Sequence, residues 1–210
     1  MEWRAYGPHA ALIQFGNPAD RTDWLVRGRA ISAALEVGVD GVTEWTLAFD
    51  HVLLEFSRGT NVANRTPELI ELFGTLESVD NAHARHHRIA VRYDGEDLAL
   101  VAKGSGLSEP EVVEVHTSTI YDVAMLGFAP GFPYLTGLDE RLATPRRAEP
   151  RSRVPTGAVA IGGSHTGIYS VPSPGGWNVI GHTATPLFDA KSEHFLLNTG
   201  DRVEFVSETP

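Results

Sequence analysis

Apolar positions change their spacing several times along the chain, and each change predicts a different element. Residues 10–15 form a short apolar run that ends at Gly16-Asn17-Pro18, a strand followed by a turn. Leu25, Val26, Ala30, Ala33, Ala34 and Val37 then recur near helical spacing, with Asp20 or Thr22 as N-cap and Gly38 as the stop. Residues 44–48 and 51–56 read as two strands around a tight turn at Asp50. Thr66-Pro67-Glu68 opens a second helix, with Thr66 as N-cap, Pro67 at the first helical position, and Leu69, Ile70, Leu72, Phe73 and Leu76 as its apolar face. Residues 87–93 alternate again, with Ile89, Val91 and Tyr93 on one side. Strand, helix, strand, strand, helix, strand is the split βαβ order. It predicts a ferredoxin-like (βαββαβ) domain over residues 1–84.

Beyond this point two helices precede a change of character. Residues 98–103 form one, stopped by Gly104. Ser108 caps the other, with Glu111 three residues on as its reciprocal partner. Residues 127–181 then hold 17 of the chain's 34 glycines and prolines, a density that helices do not tolerate. Short apolar pieces survive at 121–128, 158–161, 167–169, 177–180 and 203–206. The expectation is an α+β chain whose residues 85–210 make a compact β-barrel or sandwich with elaborate loops.

Composition narrows the choice of partners. A net charge of −10 repels phosphate backbones and anionic lipid, so neither nucleic acid nor membrane is expected as a partner. The chain has no cysteine, which excludes disulfides, thiolate catalysis and cysteine-based zinc sites. No basic and apolar leader follows Met1, and no apolar run approaches the length of a membrane span, so a cytoplasmic location is expected.

Candidate chemistry gathers in the turn-dense segment. Between Arg141 and Phe188 stand five arginines, Arg141, Arg146, Arg147, Arg151 and Arg153, against the single acid Glu149. Guanidinium forks suit a carboxylate or phosphate, so one reading is an anion site; the other is solvation of a loop or pairing with a neighbouring chain. Gly162 and Gly163 bring backbone N–H groups close to a ligand, or simply make a turn. Phe132, Tyr134 and Trp177 wall a pocket, or fill a core. His165 and His182 are the candidate proton carriers, with an ordinary hydrogen-bonded loop histidine as the alternative. His83, His86 and His87 cluster without metal-ligand spacing and read as a solvated strand entrance, so no metal site is expected. No P-loop, dinucleotide fingerprint or nucleophile elbow is present. Thr166 stands where an elbow at Gly162 needs its last glycine, which removes Ser164 as a nucleophile.

The series Phe128-Ala129-Pro130-Gly131-Phe132-Pro133-Tyr134-Leu135, Pro145-Arg146-Arg147, Pro150-Arg151, Val154-Pro155-Thr156-Gly157-Ala158-Val159-Ala160-Ile161-Gly162-Gly163, Thr166-Gly167-Ile168-Tyr169, Ser173-Pro174-Gly175-Gly176-Trp177 and Gly181-His182-Thr183 resembles the family of the 5-oxoprolinase B subunit. That family also carries the names allophanate hydrolase subunit 1 and sporulation kinase inhibitor. Two positions depart from its usual pattern: His165 replaces a common glutamine, and Ser170 replaces a frequent proline. The resemblance implies a ferredoxin-like first domain and a cyclophilin-like barrel. It implies a heteromeric partner, the C component (allophanate hydrolase subunit 2), with a third, A component needed for ATP-dependent opening of 5-oxoproline to glutamate. ATP and magnesium would then act at the level of the complex, and the chain would be inactive alone. Related modules form the carboxyltransferase part of urea carboxylase.

On this reading Arg146, Arg151 and Arg153 hold a small anionic substrate, Gly162 and Gly163 steady an oxyanion, His165 or His182 moves a proton, and Phe132, Tyr134 and Trp177 wall the pocket. The rival is a regulatory module that docks on a sensor histidine kinase. A peptidyl-prolyl isomerase is suggested only by analogy of fold.

Overall fold

The computed structural model describes residues 1–17, 19–76, 84–192 and 194–208. They fall into two compact units, Met1–His83 and Ala84–Pro210. In the first, strands β1 (Glu2–Ala5), β2 (Ala10–Gln14), β3 (Val42–Ala48) and β4 (His51–Phe56) form an antiparallel sheet in the order β1-β2-β4-β3. Helix α1 (Arg21–Val37) joins β2 to β3, and α2 (Val62–Thr75) follows β4. Asp20 caps α1 by accepting the Asp23 N–H at 3.1 Å, and Gly38 ends it. Alternation buries Ala11, Ile13, Val52, Leu54 and Phe56 on one face of the sheet.

Two expectations change in this unit. The fourth strand is β1, which has only Trp3 as an apolar signal between Glu2 and Arg4. The strand near residues 87–93 joins the other unit's sheet instead. Helix α2 also starts a turn earlier than expected. Asn61 is its N-cap, accepting the Asn64 N–H at 3.2 Å, so Pro67 lies inside the helix. Thr66 is buried and donates to the Val62 carbonyl at 2.7 Å, so it does not act as a cap.

The second unit opens with β5 (His86–Val91), α3 (Leu98–Ser105) and α4 (Glu109–Thr117), then β6 (Ile120–Leu126), β7 (Pro133–Thr136), β8 (Arg151–Val154), β9 (Ala158–Gly162) and β10 (His165–Ile168). It closes with β11 (Ser173–Gly175), β12 (Asn178–His182), β13 (Phe188–Asp189), β14 (His194–Phe195) and β15 (Arg202–Ser207). Ser108 and Glu111 form the expected capping box of α4. Helix α3 runs past Gly104 and is closed by Gly106 in the left-handed region.

Seven strands make one sheet in the order β12-β9-β10-β7-β6-β15-β5, with only β15–β5 parallel. Its edges meet where Arg92 and His182 exchange N–H···O bonds of 2.9 and 2.8 Å, so the sheet curls into a half-barrel. Strand β9 is buried at every position and feeds two cores. Val159 and Ile161 pack with Val101 of α3, Val112 of α4 and Phe205 of β15. Ala158 and Ala160 face the other way, into an aromatic cluster of Phe132, Tyr169 and Trp177.

Of the histidine cluster, His83 lies outside the described residues. His87 bonds the buried Asp201 carboxylate at 3.0 Å, and His86 lies 3.4 Å from Glu204. His116, on α4, is fully buried and stacked on Phe205. The Thr166 hydroxyl donates to the Ala160 carbonyl at 3.1 Å, so it accepts from His116 Nε2 at 3.0 Å, and His116 Nδ1 accepts the Tyr93 hydroxyl at 2.8 Å.

Burial pushes the His116 pKa down to about 3, so the ring is neutral in the folded state. Its folded value lies below the unfolded 6.5, so this contribution is complete above pH 6.5 and is lost as pH falls towards 3. Urea unfolding is expected to show the wild type losing about 2 kcal/mol more than His116→Gln between pH 7 and pH 5. Parallel pH profiles would contradict the neutral assignment.

Candidate functional site

On the sheet face opposite α3 and α4, the aromatic cluster opens into a cleft of about 150 Å³. This is below the ~300–1,000 Å³ of drug-sized sites and suits a ligand of few atoms. Trp177 enters the cleft from the start of β12. Its ring meets Phe132 edge-on at 5.4 Å and Tyr134 at 5.6 Å, and Phe132 meets Tyr169 at 5.2 Å. A Cβ at Gly162 would lie 2.5 Å from the indole, so this glycine is the seat of Trp177. A Cβ at Gly175 would lie 2.1 Å from the Tyr169 hydroxyl.

Charge at the cleft comes from arginine. The Arg146 guanidinium sits 5.7 Å from the Trp177 ring centroid, exposed at the mouth. Arg147 also lines the cleft, but its Nη1 is held by Asp97 at 2.9 Å. Among the described residues no carboxylate lines it. Phe128 stands at the rim, 62% exposed, with φ 70 and its ring edge-on to Phe132. Left-handed backbone is uncommon for a bulky residue, and here it turns an aromatic ring outward beside the opening.

The structure therefore brings together Phe132, Tyr134, Arg146 and Trp177 of the expected site, and separates the others. Arg151 is only 15% exposed and is committed inward. Its Nη2 lies 2.9 and 2.8 Å from the two Asp97 oxygens, and its Nε lies 2.9 Å from Glu96. It is thus satisfied and does not face an external anion. Arg153 is exposed on β8, does not line the cleft, and forms no ion pair among the described residues. The Gly163 N–H is taken by the Thr144 carbonyl at 2.8 Å, so it is not free for an oxyanion. Gly163 has φ 63 at the first position of the β9–β10 turn, which primed turns reserve for glycine.

The two histidines stand apart. His165 pairs with Gly162 at one end of β9, and His182 pairs with Ala158 at the other, about 13 Å along the strand. Burial, and then the Arg146 charge, hold the His165 ring below its ordinary pKa. It is therefore neutral at pH 7, and Ser164 Oγ lies 3.3 Å from its Nδ1. His182 Nδ1 bonds Asp94 at 2.7 Å beside the barrel seam and does not line the cleft.

Tyr169 and Arg147 line the cleft, although neither stands out in the sequence as a pocket residue. The Tyr169 phenol is raised by burial and pulled back by the Trp177 backbone N–H and by Arg151 and Arg146. The signal for Tyr169 is its place at the end of a run of buried residues facing Gly175. Ser170, the departure from the family pattern, donates to the Pro130 carbonyl at 2.6 Å and ties the end of β10 to the loop carrying Phe128.

The family model named carboxyltransferase domain, subdomain C and D, matches residues 1–197. The chain belongs to this carboxyltransferase family. A protein of Escherichia coli O157:H7 named as the B subunit of 5-oxoprolinase is 58% identical over 115 residues, 54% of this chain and 53% of that protein. The resemblance read from the motif series therefore holds, and the chain spans about half the length of that curated relative. The crystal structure of TTHA0988 matches at TM-score 0.82 and 37% identity, covering 96% of this chain and 40% of that one. The Kluyveromyces lactis urea carboxylase matches at TM-score 0.78 and 20% identity, over 99% of this chain and 22% of that one, a likeness of fold alone. In both structures the carboxyltransferase unit is part of a much longer chain. Among the described residues no helix is long and apolar enough to cross a membrane.

Proposed function

We propose that this chain is the B component of an ATP-dependent 5-oxoprolinase, and that its aromatic cleft receives 5-oxoproline. The observation that carries the reading is the outward-facing guanidinium of Arg146 above a wall of aromatic rings, in a chain 58% identical to a 5-oxoprolinase B subunit over 115 residues. A five-membered lactam bearing one carboxylate needs just such a pairing. The carboxylate takes the Arg146 fork, and the ring lies among Phe132, Tyr134 and Trp177. Arg147 and Arg151 stay bound to Asp97 and hold the floor of the cleft. Neutral His165, beside Arg146, accepts or donates a proton near the carboxylate end. His182 serves the seam.

A lactam amide is unreactive, and ATP supplies the activation when bound. The described lining of the cleft offers magnesium no carboxylate, which favours a nucleotide site on another component. The C component, the allophanate hydrolase subunit 2 homologue, closes over the cleft, and the A component completes the complex. The finer fold assignment follows the same family. The first unit is ferredoxin-like with β1 in place of the returning strand, and the second is cyclophilin-like.

The test is reconstitution. The A, B and C components together are expected to hydrolyse ATP in a 5-oxoproline-dependent manner, whereas A with C in the absence of this chain should not. Turnover that does not need this chain, or co-purification with a sensor kinase in place of the C component, would overturn the proposal.

A further inference from the structure

The first unit carries a second concavity, about 310 Å³, on the sheet face away from its buried apolar residues, lined by Glu2, Trp3, Arg4, Leu12, Gln14 and His51. Strand register makes three of these a row across the sheet. Glu2 of β1 pairs with Gln14 of β2, and Gln14 pairs with His51 of β4. Side chains in register on one face stand about 5 Å apart. Arg4 lies one row along, on the same face of β1 as Glu2.

A buried carboxylate behind the row fixes its polarity. Asp50 is 8% exposed and accepts Gln14 Nε2 at 2.8 Å and His51 Nδ1 at 2.8 Å. A carboxylate only accepts, so Nδ1 carries the imidazole proton. The groups left for the concavity are the Gln14 carbonyl oxygen and His51 Nε2, both acceptors, beside the Glu2 carboxylate. Asp50 is itself placed by the β3–β4 turn, where Phe49 holds φ 54 and the Asp50 carbonyl receives the Phe15 N–H at 2.9 Å. A bulky side chain in left-handed backbone is a cost that the surrounding contacts sustain.

The geometry points to a binding site for a small α-amino acid in its zwitterionic form. An ammonium has three donors and meets three acceptors, Glu2, Gln14 and His51. Arg4 offers its fork to the carboxylate. Among the described residues neither Glu2 nor Arg4 forms an ion pair, so both charges are free for a ligand. This site is independent of the aromatic cleft and of the activity proposed for it.

Heteronuclear NMR of the full chain, titrated with L-alanine to about 10 mM, tests the assignment. Saturable shifts are expected at the Gln14 side-chain amide and the His51 ring, with acetate and ethylammonium each binding roughly tenfold more weakly than L-alanine. Arg4→Gln and Asp50→Asn should each weaken L-alanine roughly tenfold with unchanged far-UV circular dichroism. If Asp50→Asn unfolds, Arg4→Gln on its exposed edge strand carries the test alone. No saturable shift, equal affinity for ethylammonium, or unchanged affinity in Arg4→Gln would overturn the proposal.

Discussion

Asp97→Ala is expected to destabilise the second unit by about 3–5 kcal/mol, the range for removing one partner of a buried ion pair. Asp97 stands at the N-cap of α3 but makes no capping bond with its side chain. Its carboxylate, 5% exposed, turns away from the helix to receive Arg147 Nη1, Arg151 Nη2 and the Val179 N–H, the last at 2.7 Å. Without it Arg151 keeps only Glu96 as an acidic partner, and the Val179 N–H at the root of the Trp177 strand loses its acceptor. Chemical denaturation measures the loss. A change under about 1 kcal/mol, the ceiling for exposed pairs, would mean that the cluster is solvated. Asp97→Asn, which keeps an acceptor for Val179 but drops the charge, is expected to fall between the two.

Gly162→Val is expected to abolish ligand binding in the aromatic cleft while leaving the half-barrel folded, at a cost of about 1–3 kcal/mol. The new Cβ would meet the indole at 2.5 Å, and the ring has little room to retreat, since Phe132 and Tyr134 flank it edge-on. Trp177 must swing into the cleft or outward past Arg146. Tryptophan fluorescence should shift to the red as the ring leaves its buried seat, and 5-oxoproline-dependent turnover of the reconstituted complex should fall at least about a hundredfold, the equivalent of ~3 kcal/mol. A variant with wild-type emission and turnover would show that Trp177 does not form the cleft.

Local chemistry made much of the fold legible in the sequence. Asp20, Ser108 and Glu111 cap the helices as their positions suggest, and β2, β4, β9 and β15 follow their apolar runs. What escaped was set by tertiary pairing. Strand β1 carries polar residues on an edge and gains its conformation from β2. Residues 86–91 look like the last strand of the first domain because a strand's pattern does not say which sheet will receive it. Their partner β15 lies more than a hundred residues away.

The aromatic wall of the cleft was readable from composition, because Phe132, Tyr134 and Trp177 stand among glycines that leave room for rings. The arginines were not separable by sequence. Arg146 and Arg151 look alike until Asp97 and Glu96, distant in the chain, claim one of them. Nor did spacing reveal that His182 serves the seam with Asp94, or that Thr144 occupies the Gly163 N–H.

The most direct measurement is the KM for 5-oxoproline of the reconstituted complex carrying Arg146→Ala. Arg146 is exposed and holds no structural ion pair among the described residues, so its loss leaves the fold intact. A charge-assisted hydrogen bond contributes about 1.5–3 kcal/mol, so KM should rise roughly ten- to hundredfold. An unchanged KM, in a complex that assembles normally, would contradict the placement of the substrate in this cleft.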